Sequence, residues 1–336
     1  MDHAVDDNYD NIFVYTGGRV PRHLRAHITR AIVHQSISVV DEYAFYNCTR
    51  LRSLECHEGV DRIRKRAFMN CSGLRVAKLI GVKFIEMEAF ELCTRMLDIE
   101  FGGDLRTIGR RAFSNCNSVR RLRLTSTSVV SIEELAFENC GRLADVVLPE
   151  GIETVRQQAF SGCINLRRIT IPLKTDMFSP DCVRYSYIRS VFDWCKRLST
   201  VELVGRIHQS VSYLSLDSWK IGMSDEFDRI NDILPSLPAK LKTTAIKQWM
   251  ESVLRRLEHY KHEHHLLLKE AAALLELALW KANLEEDDPL ELEANVSNLS
   301  LDNRSANARK QRRVTSGAGV VIKGVLPFLR FAKDSA

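Results

Sequence analysis

Seven phenylalanines, each followed three residues later by a cysteine, leave this chain few ways to fold. The anchors are Phe45, Phe68, Phe90, Phe113, Phe137, Phe160 and Phe192, separated by 23, 22, 23, 24, 23 and 32 residues. Their cysteines are Cys48, Cys71, Cys93, Cys116, Cys140, Cys163 and Cys195. An alanine precedes every anchor except the last, where Val191 stands. Five residues before the first six anchors come Val40, Ile63, Ile85, Ile108, Ile132 and Val155; six residues after all seven come Leu51, Leu74, Met96, Val119, Leu143, Leu166 and Leu198. Two more apolar positions follow at plus nine and plus eleven, as in Leu122 and Leu124 or Ile169 and Ile171. Self-similarity at this period is the signature of a solenoid. One such unit cannot bury its own apolar side, whereas stacked units share a continuous core.

Two hydrophobic periods alternate within each unit. From minus five to plus three the apolar residues, for example Ile63, Ala67, Phe68 and Cys71, fall at helical spacing, which predicts a short helix. From plus nine to plus eleven they alternate, which predicts a strand with one face inward. Small or polar residues at plus four and plus five suit a turn between the two. Alanine allows close approach, phenylalanine fills the space between rungs, and cysteine acts as a small hydrophobe.

The pattern I-x-x-x-A-F-x-x-C-x-x-L-x-x-L-x-L resembles the BspA-like, or Treponema-type, leucine-rich repeat, over about residues 36–205. Three flanking segments, "IFVYTGGRVPRHLRAHITRAIVHQSI", "EHYKHEHHLLLKEAAALLELALWKANL" and "RVTSGAGVVIKGVLPFL", resemble an expanded diatom family of leucine-rich-repeat proteins. The resemblance implies no biochemical activity. The expected fold is an α/β repeat: a leucine-rich-repeat solenoid of about seven short helix–strand repeats, with an N-terminal cap and an α-helical C-terminal region. The last repeat departs from the pattern, through the lost alanine and an insertion around "MFSPDCVRYSYI" at 177–188.

The flanks set the remaining organisation. Residues 1–35 read as an N-terminal cap in which "ITRAIVH" supplies a strand pairing with the first rung. A connector at 206–242 reads as irregular, with Pro235 and Pro238 near its end. Residues 243–285 hold no proline or glycine and repeat apolar residues at steps of three and four, from Ile246, Met250 and Val253 to Leu274 and Ala278. This predicts one long helix, or a hairpin broken near "HEHH", that caps the last repeat or self-associates as a coiled coil. Residues 286–316 run from acidic to basic and read as a flexible linker. Residues 317–336 carry "GVVIKGVLPFL", an apolar tail expected to dock.

Composition narrows the function. The net charge of +5 is modest and nearly balanced, so it does not mark a nucleic-acid binder. The first fifteen residues are acidic and lack a basic segment before an apolar run, so no secretory signal is expected. No stretch is long and apolar enough to read as a membrane span. Nine cysteines in a chain without a signal are expected to be reduced. An intracellular, cytoplasmic protein follows from these readings, with "RKQRR" (309–313) offering nuclear entry or a nucleic-acid contact as the alternative.

Chemistry is sparse. His259, His262, His264 and His265 are the best metal candidates, but lysines flank them, and a solvated face is the expected reading. One cysteine per rung is a packing ladder rather than a metal site. Phosphate-binding glycine motifs are absent, and neither an enzyme nor a cofactor is expected. Surface remains. Residues at plus eight, ten and twelve point away from the core, and among them Lys78, Asp98, Glu100, Arg121, Arg123, Asp145, Arg168 and Thr170 are the candidate partner-binding residues. The expected function is a non-catalytic protein–protein interaction module, with acid on the third rung setting the orientation of a partner held by arginines on the adjoining one.

Overall fold

The computed structural model describes residues 11–124, 128–178, 190–204 and 217–286. It comprises two compact units, Met1–Val211 with Met223–Val253, and Ser212–Gly222 with Leu254–Ala336. The strands, in chain order, are β1 (Ile12–Tyr15), β2 (Arg30–Val33), β3 (Val39–Val40), β4 (Ser53–Cys56), β5 (Arg62–Ile63), β6 (Val76–Leu79), β7 (Phe84–Ile85) and β8 (Asp98–Phe101). They continue as β9 (Thr107–Ile108), β10 (Arg121–Arg123), β11 (Ser131–Ile132), β12 (Asp145–Val147), β13 (Thr154–Val155), β14 (Arg168–Ile171) and β15 (Thr200–Leu203). Two helices follow, α1 (Asp217–Ile233) and α2 (Ala239–Glu286).

All strand pairs are parallel, as a chain wound in one sense requires. The longer strands form two sheets, β1-β2-β4-β6-β8 and β10-β12-β14-β15. The two-residue strands form a third, in the order β13-β11-β9-β7-β5-β3. The strand expected in "ITRAIVH" is β2; it pairs with β4 of the first rung, and β1 adds one further strand ahead of it.

The expected short helix is not there. Residues around each anchor form consecutive tight turns, because the backbone is left-handed at two places per rung. Two residues before the anchor φ is positive at Tyr43, Arg66, Glu88, Arg111, Leu135 and Gln158, and two after it at Asn47, Asn70, Leu92, Asn115, Asn139, Gly162 and Trp194. An α-helix cannot continue through such residues. The backbone bonds explain the choice. Local amides close turns, as when the Cys48 N–H donates to the Phe45 carbonyl, while alternate amides reach the next rung: Tyr43 to Lys65, Phe45 to Ala67 and Asn47 to Met69. A helix would spend all of these groups within itself and leave the rungs unjoined.

The count also differs from expectation. Among the described residues, six turns carry the complete set of elements, not seven. Six two-residue strands precede the first six anchors; before Phe192, Phe178 bridges to Val155 in the place of a seventh. The long insertion falls here, and residues 179–189 lie outside the described residues.

The core is a column. Ala, Phe and Cys of each regular rung are fully buried. Successive anchor rings stack face to face, with centroids 4.9, 5.1, 5.2, 5.3 and 5.4 Å apart through Phe160 and 6.0 Å apart at the last step. Phe13 and Phe178 close the two ends edge-on, at 89° and 79°. The cysteines do more than fill space. Each thiol from Cys71 onward donates to the carbonyl of the preceding anchor: Cys71 to Phe45 at 3.1 Å, Cys93 to Phe68 at 3.3 Å, and so on to Cys195 and Phe160 at 3.0 Å. Burial pushes the Cys48 and Cys56 thiols up to about 12 and the Cys71, Cys93, Cys116 and Cys163 thiols well above 9.0.

The last rung is closed by the segments after it. The Phe192 N–H, which in earlier rungs would reach the next alanine carbonyl, meets the Thr243 hydroxyl at 3.4 Å. The Val201 N–H donates to the Asn231 side chain at 2.8 Å. Lys242 is fully buried, and its ammonium donates to the carbonyls of Lys196 and Leu198. The connector read as irregular therefore contains a 17-residue helix, α1, and the predicted long helix is a single one of 48 residues. In the second unit, Arg256 donates to the Gly222 carbonyl at 2.8 Å, and a Cβ on Gly222 would fall 2.6 Å from the Tyr260 hydroxyl.

The strand face as candidate interface

The alternation of each long strand turns its plus-nine and plus-eleven residues inward and its plus-eight and plus-ten residues outward. Strand β10 shows this directly: Leu122 is buried between exposed Arg121 and Arg123. The outward residues align by register into columns. Glu55, Lys78 and Glu100 are Cα partners across β4, β6 and β8. Arg121, Asp145 and Arg168 are partners across β10, β12 and β14, and Thr170 faces Glu202.

These contacts divide the eight predicted residues into two groups. Arg121 pairs with Asp145 at 3.7 Å, and Arg168 with Glu202 at 3.6 Å; the Thr170 hydroxyl donates to Glu202 at 3.4 Å. Lys78, Asp98, Glu100 and Arg123 are exposed, and among the described residues no opposite charge lies within ion-pair distance of them. The rung-three acids and the rung-four arginines lie on different sheets. The longer strands divide between β8 and β10, and among the described residues no backbone ladder joins Asp98 and Glu100 to Arg121 and Arg123.

The opposite side of the rungs treats charge differently. Arg62–Glu86 (3.1 Å), Arg64–Asp41 (3.4 Å), Arg110–Glu134 (3.5 Å), Arg111–Glu138 (3.6 Å) and Arg156–Glu133 (2.8 Å) each join adjacent rungs, as do Arg66 and Glu88. The arginine stems also cover apolar surface; Arg62 lies 4.5 Å from the Phe84 ring centroid.

Little else offers chemistry. In the histidine cluster, His259 faces Glu263 at 3.2 Å, and burial lowers the pKa of His264. Among the described residues no three His, Cys, Asp or Glu side chains are grouped to hold a metal ion. The described cysteines are free and buried. No described helix is long and apolar enough to cross a membrane. "RKQRR" and the apolar tail lie outside the described residues. The residues that sequence reasoning missed are the capping groups Asn231, Lys242 and Thr243, which no motif marks because each acts on a backbone group more than 25 positions away.

A family model described as a BspA type leucine rich repeat region matches six copies, over residues 25–121 and 78–189. Among solved structures, the leucine rich repeat protein of T. pallidum is 27% identical with a TM-score of 0.43, over 56% of this chain and 84% of its own. A leucine-rich repeat protein from Bacteroides ovatus is 24% identical with a TM-score of 0.44, over 53% of this chain and 43% of its own. A search of curated proteins found no match. The pattern of anchors, the parallel winding and the family match together place the repeat array in the BspA-type leucine-rich-repeat family.

Proposed function

We propose that the protein is a non-catalytic interaction module, working inside the cell, whose strand face receives a partner protein. Leucine-rich-repeat arrays generally present such a face to proteins. The observation that carries the reading is the contrast in charge pairing. Among the described residues the turn side holds six ion pairs between rungs, while the strand face holds three and leaves Lys78, Asp98, Glu100 and Arg123 without partners of their own. Charges kept unpaired on a rigid sheet give specificity and speed association. Buried, unpaired thiols favour a reducing compartment.

The test is an Arg123→Glu variant in affinity capture from the native cell. Partner recovery is expected to fall, with the melting temperature nearly unchanged. Arg22→Glu serves as the control, because its side chain is exposed and lies off the strands. Equal recovery by all three proteins removes the strand face from consideration. Self-association through α2 is the second reading, favoured by exposed Leu266, Leu274, Leu277 and Trp280. Sedimentation at rising concentration separates it from the first.

A further inference from the structure

Between each turn and its long strand, the chain runs along one edge of the array at positions plus four to plus seven. Across seven rungs these segments read TRLR, SGLR, TRML, NSVR, GRLA, INLR and KRLS. They contain no aspartate or glutamate, in a chain that has 43 of them. Every rung carries at least one arginine there. After the first rung, whose Arg50 and Arg52 occupy both places, the position alternates. Arg75, Arg120 and Arg167 stand at plus seven; Arg95, Arg142 and Arg197 stand at plus five. All six are exposed. Among the described residues no carboxylate lies within ion-pair distance of Arg75, Arg95, Arg120 or Arg142, unlike the arginines of the turn side.

Packing explains half of the alternation. On even rungs the plus-five residue lies against the plus-four carbonyl of the rung before. A Cβ on Gly73 would fall 2.3 Å from the Thr49 carbonyl, Ser118 donates to the Thr94 carbonyl at 2.8 Å, and Asn165 donates to the Gly141 carbonyl at 2.6 Å. An arginine does not replace these small or hydrogen-bonding residues at no cost. Packing does not explain why the even rungs then carry arginine two residues later, nor why acid is missing throughout. The result is two parallel rows of cations. Within a row the charges are two rungs apart, about 10 Å at the usual strand spacing, which keeps their mutual repulsion low.

We propose that this edge binds an extended acidic segment of a partner polypeptide. A polyproline II chain rises about 3.1 Å per residue with three residues per turn, so acids at every third position recur about every 9 Å on one side. That repeat matches a row. The planar guanidinium fork suits carboxylates in bidentate pairs. A single-stranded nucleic acid would draw much of its affinity from bases stacked on aromatic side chains, and positions plus four to plus eight hold no Phe, Tyr or Trp in any of the seven rungs. This inference concerns a different surface from the strand face and stands independently of it.

The experiment uses the full chain and a fluorescein-labelled peptide of repeated Glu-Pro-Pro, followed by anisotropy. Saturable binding that weakens as salt rises is expected. The Arg75→Glu/Arg120→Glu/Arg167→Glu variant should lose affinity by about tenfold or more, as three charge-assisted contacts reverse sign. Arg22→Glu/Arg106→Glu/Lys240→Glu changes net charge equally off the edge and should stay within about twofold of wild type. Unchanged melting curves for both variants show that they fold. Absence of saturable peptide binding, equal losses by the two variants, or tighter binding of oligothymidine or of phosphatidylserine vesicles than of the peptide would each overturn the proposal.

Discussion

The turn side and the strand face of each rung come from the same 22–24-residue unit, yet they solve different problems. On the turn side many features depend on a neighbouring rung. The amides reach forward, the thiols reach back, and the arginines find their carboxylates one unit away. On the strand face the backbone is equally tied, but the outward side chains are much less so. The lesson is that a repeat can hold its stack together on one side and leave the other side free to vary. Changes on the turn side should therefore propagate into stability, and changes on the strand face should not.

The largest test of that contrast is the anchor column. Phe113→Ala removes a ring stacked on both Phe90 and Phe137, 5.2 and 5.3 Å away, and should cost about 3–5 kcal/mol in denaturant unfolding. Arg123→Glu should cost under about 0.5 kcal/mol in the same assay. Similar losses would erase the distinction between the two sides.

The thiol ladder gives the next largest effect. Between the ordinary thiol value of 9.0 and the raised folded value, the unfolded chain releases protons that the native state keeps. The unfolded state then binds fewer protons, so stability is fully present below about pH 9 and falls as pH rises above it. Each thiol contributes a slope of about 1.4 kcal/mol per pH unit. Urea melts at stepped alkaline pH should show this fall. A Cys71→Ser/Cys93→Ser/Cys116→Ser variant keeps hydroxyl donors that do not titrate in this range, so it should show a shallower slope. Parallel slopes would mean that the thiols are accessible.

The smallest effect sits at the left-handed positions. Asn70→Ala should destabilise by about 1 kcal/mol, because alanine tolerates φ 59° poorly, and Leu92→Asn should restore some stability at the equivalent place on the next rung. Exchanging Lys78 for alanine should do neither.

How much of this was legible beforehand varies by element. The anchors, their burial and the strands followed from spacing, because a buried residue must recur in register wherever units share a core. The short helix did not survive, since Ile63, Ala67, Phe68 and Cys71 satisfy helical spacing and tight-turn spacing alike. Asn47, Asn70, Asn115, Asn139 and Gly162 at plus two carried the correcting signal, as the residue types that best accept positive φ. The outward direction of the strand-face residues was readable. Whether each was already paired was not, because its partner lies a full repeat away and depends on register. The separation of β8 from β10 has no counterpart in the spacing pattern, which runs through it unbroken.

The closed last rung has a consequence for how such a chain changes length. Thr243, Lys242 and Asn231 recognise what any regular rung would offer at that place: a forward-pointing amide and unclaimed carbonyls. Phe13 and β1 do the same at the start. Duplication or loss of a unit between these stops would leave both terminal junctions chemically unchanged. The array is thus free to lengthen or shorten from its middle, while the sequences that start and stop it remain under a single, constant constraint.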